Sequence, residues 1–307
     1  MTRVAAIDCG TNSIRLLIAD LPSTGDAPLV DVVREMRIVR LGQGVDRTGR
    51  LAPEAIERTR VALAEYTSQI RELGAERVRM VATSASRDAS NADDFRAMVL
   101  STLGTAPEVI TGDEEARLSF SGAVRGLQGA EPPYLVVDIG GGSTEFVLGT
   151  SGVDAARSVD IGCVRLTERH LRSDPPTVEE IAATEKDIVA AVGVARETVP
   201  VERARTLVGL AGSVTTVTAL ALGLDAYDPA AIHHARVSRD QVAEVTERLL
   251  TQTREERAAY PVMHPGRVDV IGAGALVLRV IMDEVGAEFV VASEHDILDG
   301  IAWSQTS

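Results

Sequence analysis

The chain repeats itself once, and this repeat constrains its fold more than any other feature of the sequence. The segment that begins at Val4 reads VAAIDCGTNSIRLLIADL, and the segment that begins at Leu135 reads LVVDIGGGSTEFVLGT. The aligned pairs, 130 residues apart, are Asp8 and Asp138, Gly10 and Gly140, and Ser13 and Ser143. Each copy has an apolar strand, a carboxylate, a polar glycine-rich turn and a second apolar strand, which predicts a β-hairpin.

The elements that follow each hairpin repeat as well. In the first half we predict an extended segment over 28–40, a helix over 52–73, a strand over 77–83, a helix over 91–104 with Asn91 as its N-cap and Gly104 as its stop, a short strand PEVIT, and a helix that starts in DEEARL. In the second half we predict three strands within 133–161, helices within 163–199, a strand at 206–210, a helix from Ser213, helices at 239–251 and 267–285, and a strand at 288–292.

Both halves therefore predict the order βββαβαβα, and strands that alternate with helices form a mixed sheet covered by helices. We expect one α/β domain over residues 1–125 and a second over 126–293. A final helix within 294–307 can pack back on the first domain. Two such domains in tandem predict an interdomain cleft, with one polar hairpin turn facing it from each side.

Composition excludes several classes of protein. The net charge of −14 is the reverse of the basic footprint of a nucleic-acid binder. Lys186 is the only lysine, and it lies in TEKDI, so the Gly-Lys-Ser/Thr of a Walker loop is missing. The chain has no apolar run of membrane-spanning length, and it begins MTRVAAIDCG rather than with a signal peptide, so we expect a cytoplasmic protein without a membrane partner.

The sequence offers no pattern of a structural metal site. Cys9 and Cys163 form no CxxC motif, so we expect two reduced, partly buried thiols. His233 and His234 are adjacent in sequence and therefore point apart, and no acidic residue accompanies them at ligand spacing. Of the oligomeric states, a homodimer is the commonest for a soluble protein, and we adopt it as the expectation.

The polar turns are suited to bind phosphate. Gly140, Gly141 and Gly142 leave backbone N–H groups free of side chains, and successive N–H groups in a tight turn bind anions. Ser143 and Thr144 add hydroxyl donors, and Asp138 is placed to meet a divalent metal. In the first hairpin the matching phosphate ligands are Thr11, Asn12 and Ser13.

Six motifs together resemble one family. They are DCGTNSIRLLI, ATSASRDASN, GDEEARL, DIGGGSTEF, GLAGSVTT and DVIGAGALVL. The chain resembles the exopolyphosphatase / guanosine pentaphosphate phosphohydrolase (Ppx/GppA) family, in its short two-domain form. This resemblance implies two tandem ribonuclease-H-like (actin-like ATPase) domains. It also implies Mg²⁺-dependent hydrolysis of a terminal phosphoanhydride bond, with Mn²⁺ as the other metal to consider.

The resemblance also assigns roles to acidic residues. In TGDEEARL, Thr111 and Glu114 fit a helix capping box, which leaves Glu115 without a capping role. The catalytic glutamate of the family falls on Glu115. Glu145 falls on a position that supports the metal or the attacking water, and Asp8 and Asp138 complete the expected metal set.

Basic and small residues complete the predicted site. The resemblance gives Arg87, in a polar loop after a strand, as a phosphate ligand. Arg15 and Arg267 match positions that contact a guanosine tetraphosphate-type nucleotide in relatives. Gly212 and Ser213, in GLAGSVTT, lie where kinases of the superfamily hold a nucleotide, and here they can serve nucleotide phosphates.

Four functions remain open at this point. The first is an exopolyphosphatase that releases orthophosphate and favours short chains. The second is a guanosine pentaphosphate 5′-phosphohydrolase with the same machinery. The third is a phosphotransferase, although an acceptor pocket is not evident from the sequence. The fourth is a non-catalytic sensor that binds an alarmone (a guanosine tetra- or pentaphosphate) or polyphosphate.

Overall fold

The structure, a computed structural model, describes residues 1–22, 28–127 and 129–306. Within these residues the chain divides into two units. Unit 1 comprises Met1–Gly126 and Ile297–Ser307, and unit 2 comprises Leu127–Asp296. Ser307, the last residue of the predicted terminal segment, lies outside the described residues.

Unit 1 is built on one five-stranded sheet. Its strands are β1 (Thr2–Cys9), β2 (Ser13–Leu21), β3 (Val30–Ile38), β4 (Arg77–Ala82) and β5 (Glu108–Val109). Its helices before the chain enters unit 2 are α1 (Val45–Thr48), α2 (Pro53–Glu72), α3 (Ser84–Asp88), α4 (Ala92–Leu103) and α5 (Gly112–Val124). The strand order is β3-β2-β1-β4-β5, with β1 to β3 antiparallel and β1, β4 and β5 parallel.

Strand alternation divides the core of unit 1 between the two faces of this sheet. Ala5, Ile7 and Cys9 of β1 belong to the core that includes α2 and α4. Val4 and Ala6 belong to the core on the other face, which includes residues of α5. Asp8 follows the same alternation as Val4 and Ala6, so it lies on the face that α5 covers.

The predicted boundaries of the unit 1 helices are confirmed to within a residue or two, with one difference in capping. Gly104 ends α4 in the left-handed conformation, as predicted. Asn91, however, does not cap α4 with its side chain. Its Oδ1 accepts a hydrogen bond from Leu51 N at 2.8 Å, and its Nδ2 donates to Leu51 O at 3.1 Å. The asparagine therefore ties the start of α4 to the segment before α2.

Unit 2 repeats this plan with additions. Its strands are β6 (Tyr134–Ile139), β7 (Thr144–Gly149), β8 (Val153–Val159), β9 (Thr206–Leu210), β10 (Arg236–Ser238) and β11 (Phe289–Ala292). Its helices are α6 (Cys163–His170), α7 (Val178–Arg196), α8 (Ala211–Ala221), α9 (Pro229–Ile232), α10 (Arg239–Thr251), α11 (Arg254–Ala258) and α12 (Ile271–Val285); α13 (Ile297–Trp303) then returns to unit 1.

The sheet of unit 2 has the order β10-β11-β9-β6-β7-β8, so its strands β8-β7-β6-β9-β11 match the sheet of unit 1 and β10 is an additional edge strand. The predicted α/β class and the repeated hairpin are thereby confirmed. The edge strand β10 was not predicted, because three residues are too few to show a strand period. The helix predicted from 267 begins at Ile271 instead, since Arg267 and Val270 take part in backbone turns.

The histidine pair, the acidic and sulfur side chains and the helices bear on the expected metal and membrane features. The expectation that His233 and His234 point apart is wrong: their ring centroids are 3.7 Å apart, and the left-handed backbone of His234 removes the regular alternation on which the expectation rested. In the part of the chain that the structure describes, no group of three or more His, Cys, Asp or Glu side chains could hold a metal ion. Among the described helices, none combines the length and the apolar character needed to cross a membrane.

Candidate active site

The two hairpin turns have the same backbone geometry. Gly10 N donates to Ser13 O at 2.9 Å in unit 1, and Gly140 N donates to Ser143 O at 3.0 Å in unit 2. The cross-strand pairs at the base of the turns are Asp8 with Arg15 and Asp138 with Glu145. The repeat read from the sequence is therefore a repeat of structure, with opposite charges at the Arg15 and Glu145 positions.

In unit 1 the segment after β3 holds the turn from behind. Val39 N and Arg40 N donate to Asn12 O at 3.0 and 2.9 Å, and Gly42 N donates to Thr11 O at 2.9 Å. Arg40 has a φ of 50°, which is uncommon for a residue with a side chain. Such strained backbone persists where surrounding contacts determine it, and here those contacts fix the turn.

In unit 2 the first turn of α6 holds the glycine turn in the same way. Gly140 O accepts from Cys163 N at 3.0 Å, and Gly141 O accepts from Val164 N at 2.9 Å. The preceding Gly162 packs against the turn itself, because a Cβ at that position would lie 2.5 Å from the carbonyl carbon of Gly141. Glycine at 162 is therefore required by the close approach of two backbone segments.

These contacts determine where the N–H groups of the turns point. In a planar trans peptide the C=O of one residue and the N–H of the next point in opposite directions. Since the carbonyls of Thr11, Asn12, Gly140 and Gly141 point back into their units, the N–H groups of the following residues point away from them. Each turn thus presents consecutive N–H groups to one side, which is the arrangement of an anion nest.

Two threonine hydroxyls of the turns have partners within their own units. Thr144 is fully buried, and its hydroxyl donates to Ile161 O at 2.7 Å, so this proton is not available to a phosphate. The prediction of Thr144 as a hydroxyl donor is corrected accordingly. The Thr11 and Ser84 hydroxyls are 2.9 Å apart, which joins the first turn to α3. Asn12 Oδ1 is buried without a hydrogen-bond partner among the described residues.

Two buried carboxylates stand beside the turn of unit 2. Asp138 is 8% exposed and Glu145 is 1% exposed, and they face each other across β6 and β7. Ser158 on β8 donates its hydroxyl to Glu145 Oε1 at 2.7 Å. Burial of two acidic groups side by side is costly unless a cation compensates them. This donor set of two carboxylates suits Mg²⁺, which is usually held by one or two carboxylates together with water and substrate phosphates.

The equivalent position in unit 1 is filled differently. Arg15 donates to Asp8 Oδ2 through Nε at 3.0 Å and through Nη2 at 2.7 Å. A guanidinium on the carboxylate repels a metal cation, so the prediction that Asp8 is a metal ligand does not fit this structure. The pairing also engages Arg15, which was predicted as a nucleotide contact. The carboxylate pair of unit 2, Asp138 and Glu145, is left as the fitting metal set.

Glu115 lies in the first turn of α5 and meets Arg87. Arg87 Nη1 is 3.1 Å from Glu115 Oε2 and donates to Ile110 O, also at 3.1 Å. Glu115 is 8% exposed. Thr111 caps the helix by accepting from Glu114 N at 3.2 Å, while the Glu114 carboxylate lies 3.5 Å from Arg79. The two residues singled out from the sequence, Glu115 and Arg87, are thus brought together in unit 1.

A second group of predicted residues meets at the start of α8. The Arg267 guanidinium lies against Gly212, where a Cβ would come within 2.5 Å of its Nε, and Arg267 Nη1 donates to Thr216 Oγ1 at 3.3 Å. Burial raises the pKa of the Cys163 thiol, while a hydrogen bond with Ser213 and the charge of Arg267 act in the opposite direction. Helix N-termini bind anions, so this group can receive a phosphate.

The topology explains why these groups gather. β6 and β9 are parallel, with Asp138 beside Leu210, so the glycine turn and the start of α8 lie at the same edge of the unit 2 sheet. In unit 1, β1, β4 and β5 are parallel, and the first turn, α3 and the start of α5 follow their carboxyl ends. Ligands of open α/β sheets bind outside the carboxyl ends of the strands.

Sequence reasoning missed the residues that support the site. Ser158, Gly162 and the segment 39–42 carry no recognisable motif, since each acts through one contact set by the fold. Of these, only Ser158 could have been identified from the sequence. Because β7 and β8 form a hairpin, counting residues back from the turn gives the residue opposite Glu145. That count requires the register, which shifts at Leu148/Gly149 through an irregularity.

Comparisons with known proteins agree with this geometry. The model of the Ppx/GppA phosphatase family matches residues 19–306. The chain is 57% identical to exopolyphosphatase 2 of Mycobacterium tuberculosis, over 99% of this chain and 98% of that protein. A solved structure of an exopolyphosphatase-like protein is 44% identical, covers 98% of each chain and has a TM-score of 0.94. A guanosine-5′-triphosphate,3′-diphosphate pyrophosphatase of Photobacterium profundum is 37% identical over 58% of this chain and 35% of that protein.

Proposed function

Because the chain belongs to the Ppx/GppA phosphatase family, we propose that it is an exopolyphosphatase, which hydrolyses the terminal phosphoanhydride bond of inorganic polyphosphate and releases orthophosphate. The observation that carries this proposal is the doubled hairpin turn. Each unit has one turn with outward-pointing N–H groups and an acidic residue in the preceding strand, Asp8 or Asp138. Each of these turns, taken within its own unit, offers N–H donors that suit the oxygens of a phosphate group.

The residues of the site divide the work of hydrolysis. The N–H groups after Thr11 and Asn12, and those of the glycine turn, bind phosphate oxygens. Arg87 offers a guanidinium, which matches the geometry of phosphate oxygens. Glu115 accepts the proton of the attacking water, so that the water oxygen bonds to the terminal phosphorus while the bridging oxygen leaves with the shortened chain. Positioning and charge compensation supply most of the catalysis in phosphoryl transfer.

Asp138 and Glu145 are the residues proposed to hold Mg²⁺, with Mn²⁺ as an alternative. When bound, the cation offsets the negative charge of the phosphates. Ser158 keeps Glu145 in one orientation by its hydrogen bond at 2.7 Å. The net charge of −14 opposes the approach of a polyanion, so the local positive groups and the cation must overcome it. For this reason we also propose a preference for short polyphosphate chains.

A second substrate is favoured by one observation. Arg267 lies over Gly212 at the start of α8, beside Ser213, where it can receive the phosphates of a nucleotide. The similarity to the pyrophosphatase of Photobacterium profundum supports the same reading for part of the chain. Guanosine pentaphosphate is therefore the alternative substrate, and guanosine tetraphosphate is a candidate inhibitor. The homodimer expected from the sequence belongs to this proposal, and sedimentation equilibrium tests it.

The experiment that tests the proposal is a comparison of substrates. Orthophosphate release is measured from short polyphosphate, from chains of hundreds of units and from guanosine pentaphosphate, each with Mg²⁺, with Mn²⁺ and with a chelator. We expect metal-dependent release from polyphosphate, with a higher kcat/KM for short chains. Release from the nucleotide alone would transfer the assignment to the alternative substrate. Tight binding without any release would contradict both and identify a sensor.

A further inference from the structure

The C-terminal helix α13 packs directly on the helix that carries Glu115. Gly300 of α13 faces the backbone of Leu118 in α5, which lies about one helical turn after Glu115. A Cβ at Gly300 would lie 2.7 Å from the carbonyl carbon of Leu118 and 3.0 Å from its Cα. The carbonyl oxygen of Leu118 is closer still, so the α5 and α13 backbones meet without room for a methyl group.

Helix α13 is attached to the rest of unit 1 at several points. Arg34 of β3 donates to the buried Asp299 through Nη1 at 3.1 Å and through Nη2 at 2.6 Å. Just after the helix, Gln305 Nε2 donates to Ala5 O at 3.1 Å. Two further arginines reach the same end, with Arg77 Nη1 to Gln305 O at 2.6 Å and Arg79 Nη1 to Ser304 Oγ at 2.7 Å. These contacts fix α13 against the sheet.

The start of α5 carries the capping residue and the proposed base. Thr111 caps it with one hydrogen bond, and Glu115 meets Arg87 at 3.1 Å. Because the contacts above attach α13 to β1, β3 and β4, a clash at Gly300 is relieved by a movement of α5. A group added at Gly300 would therefore displace α5 and change the distance between the Glu115 carboxylate and Arg87.

We propose that Gly300 is a positioning residue for Glu115. Because Gly300 has no side chain, α5 packs in direct contact with the anchored helix α13, and this contact fixes the position of the Glu115 carboxylate beside Arg87. This inference rests on the proposed function, in which Glu115 accepts the proton of the attacking water. It extends the site to the C-terminal helix, which touches neither substrate nor metal in the proposed mechanism.

The proposal predicts a specific kinetic signature for Gly300→Ala. A shift of about an ångström in a catalytic group lowers the rate by up to about 100-fold. The phosphate-binding turn between β1 and β2 is held by the segment 39–42, which α5 does not contact through the bonds described above. The change should therefore lower kcat by about 10- to 100-fold and leave KM for polyphosphate within about twofold.

The matched control is Gly193→Ala. Gly193 lies in α7, where a Cβ would meet nothing within 4 Å, so the same substitution should leave kcat and KM unchanged. A second variant, Asp299→Asn, weakens one anchor of α13, because the neutral amide has a single acceptor oxygen for the two Arg34 donors, while Arg34 keeps Asp31 as a partner at 2.7 Å. It should lower kcat in the same direction with KM unchanged, and it decides the question if Gly300→Ala does not fold.

A crystal structure of Gly300→Ala, or of Asp299→Asn if the first does not fold, gives a readout that does not depend on activity. We expect the distance between the Glu115 carboxylate and the Arg87 guanidinium to differ from 3.1 Å while the Asn12 turn stays in place. An unchanged kcat in the folded variant, or an unmoved Glu115 carboxylate, would overturn the proposal. If the unaltered protein releases no orthophosphate, the proposed function fails, while the crystal structure still decides whether Gly300 sets the position of Glu115.

Discussion

Ser158 offers a sensitive test of the metal-binding part of the site. Its hydroxyl donates to Oε1 of Glu145, a carboxylate that is 1% exposed, at 2.7 Å. A hydrogen bond to a charged group contributes about 1.5–3 kcal/mol, and each 1.4 kcal/mol corresponds to about a tenfold change in an equilibrium constant. Ser158→Ala removes this bond without changing the strand, so most of that free energy is lost from the orientation of Glu145.

We therefore expect Ser158→Ala to weaken Mg²⁺ binding or to lower kcat by about 10- to 100-fold, the range seen when a group that orients a metal ligand is removed. Calorimetric titration with Mg²⁺ measures the affinity directly, and orthophosphate release measures kcat. Ser158→Thr keeps the hydroxyl on a residue that suits a strand, and it should restore most of the loss.

The control for this experiment is Ser151→Ala, in the exposed loop between β7 and β8. It removes a serine hydroxyl from the same hairpin without contact to Glu145 among the interactions described above, so both quantities should be unchanged. If Ser158→Ala binds Mg²⁺ and turns over as the native protein does, Glu145 does not depend on this hydrogen bond and the orienting role of Ser158 is refuted.

Three further predictions concern the same structure. Gly162→Ala forces the glycine turn to move by about an ångström and should lower kcat/KM by about 100-fold, whereas Gly152→Ala, with nothing within 4 Å, should not. Thr144→Val leaves Ile161 O without its donor and should lower the free energy of unfolding in urea by about 1–3 kcal/mol. Burial raises the pKa of both Cys9 and Cys163, so neither thiol should react with a disulfide reagent until guanidinium unfolds the chain, and reaction within minutes would contradict this.

Much of the fold could be predicted because the same order of strands and helices occurs twice in the sequence. The hairpin beginning at Val4 and the one beginning at Leu135 reinforce each other, and their strands form in the predicted places. Long periodic helices such as α2 were placed to within a residue, since Pro53 marks the start. Short elements such as β10 and α9 were missed, because three or four residues cannot display a period.

Part of the candidate site could be proposed where an acidic residue has no capping role and the family resemblance points to the same residue. Glu115 stood out because Thr111 and Glu114 account for helix capping and leave one acid over, and the structure gives it Arg87 as a partner. The partners of Asp8 and Thr144 could not be predicted, since each lies outside the strand that carries the residue. Arg15 forms an ion pair with the Asp8 carboxylate, and the Thr144 hydroxyl donates a hydrogen bond to Ile161 O. Partners of this kind follow from register and packing, which a single sequence does not display.

The most direct test of the central claim compares two neighbouring glutamates of α5. Glu115→Gln removes the proposed base, and Glu114→Gln changes the adjacent acid, which lies near Arg79. Loss of a general base lowers the rate by about 100- to 10,000-fold. We predict such a loss of orthophosphate release from polyphosphate for Glu115→Gln, and a change below about twofold for Glu114→Gln. Equal activity of the two variants would contradict the assignment of Glu115 as the base.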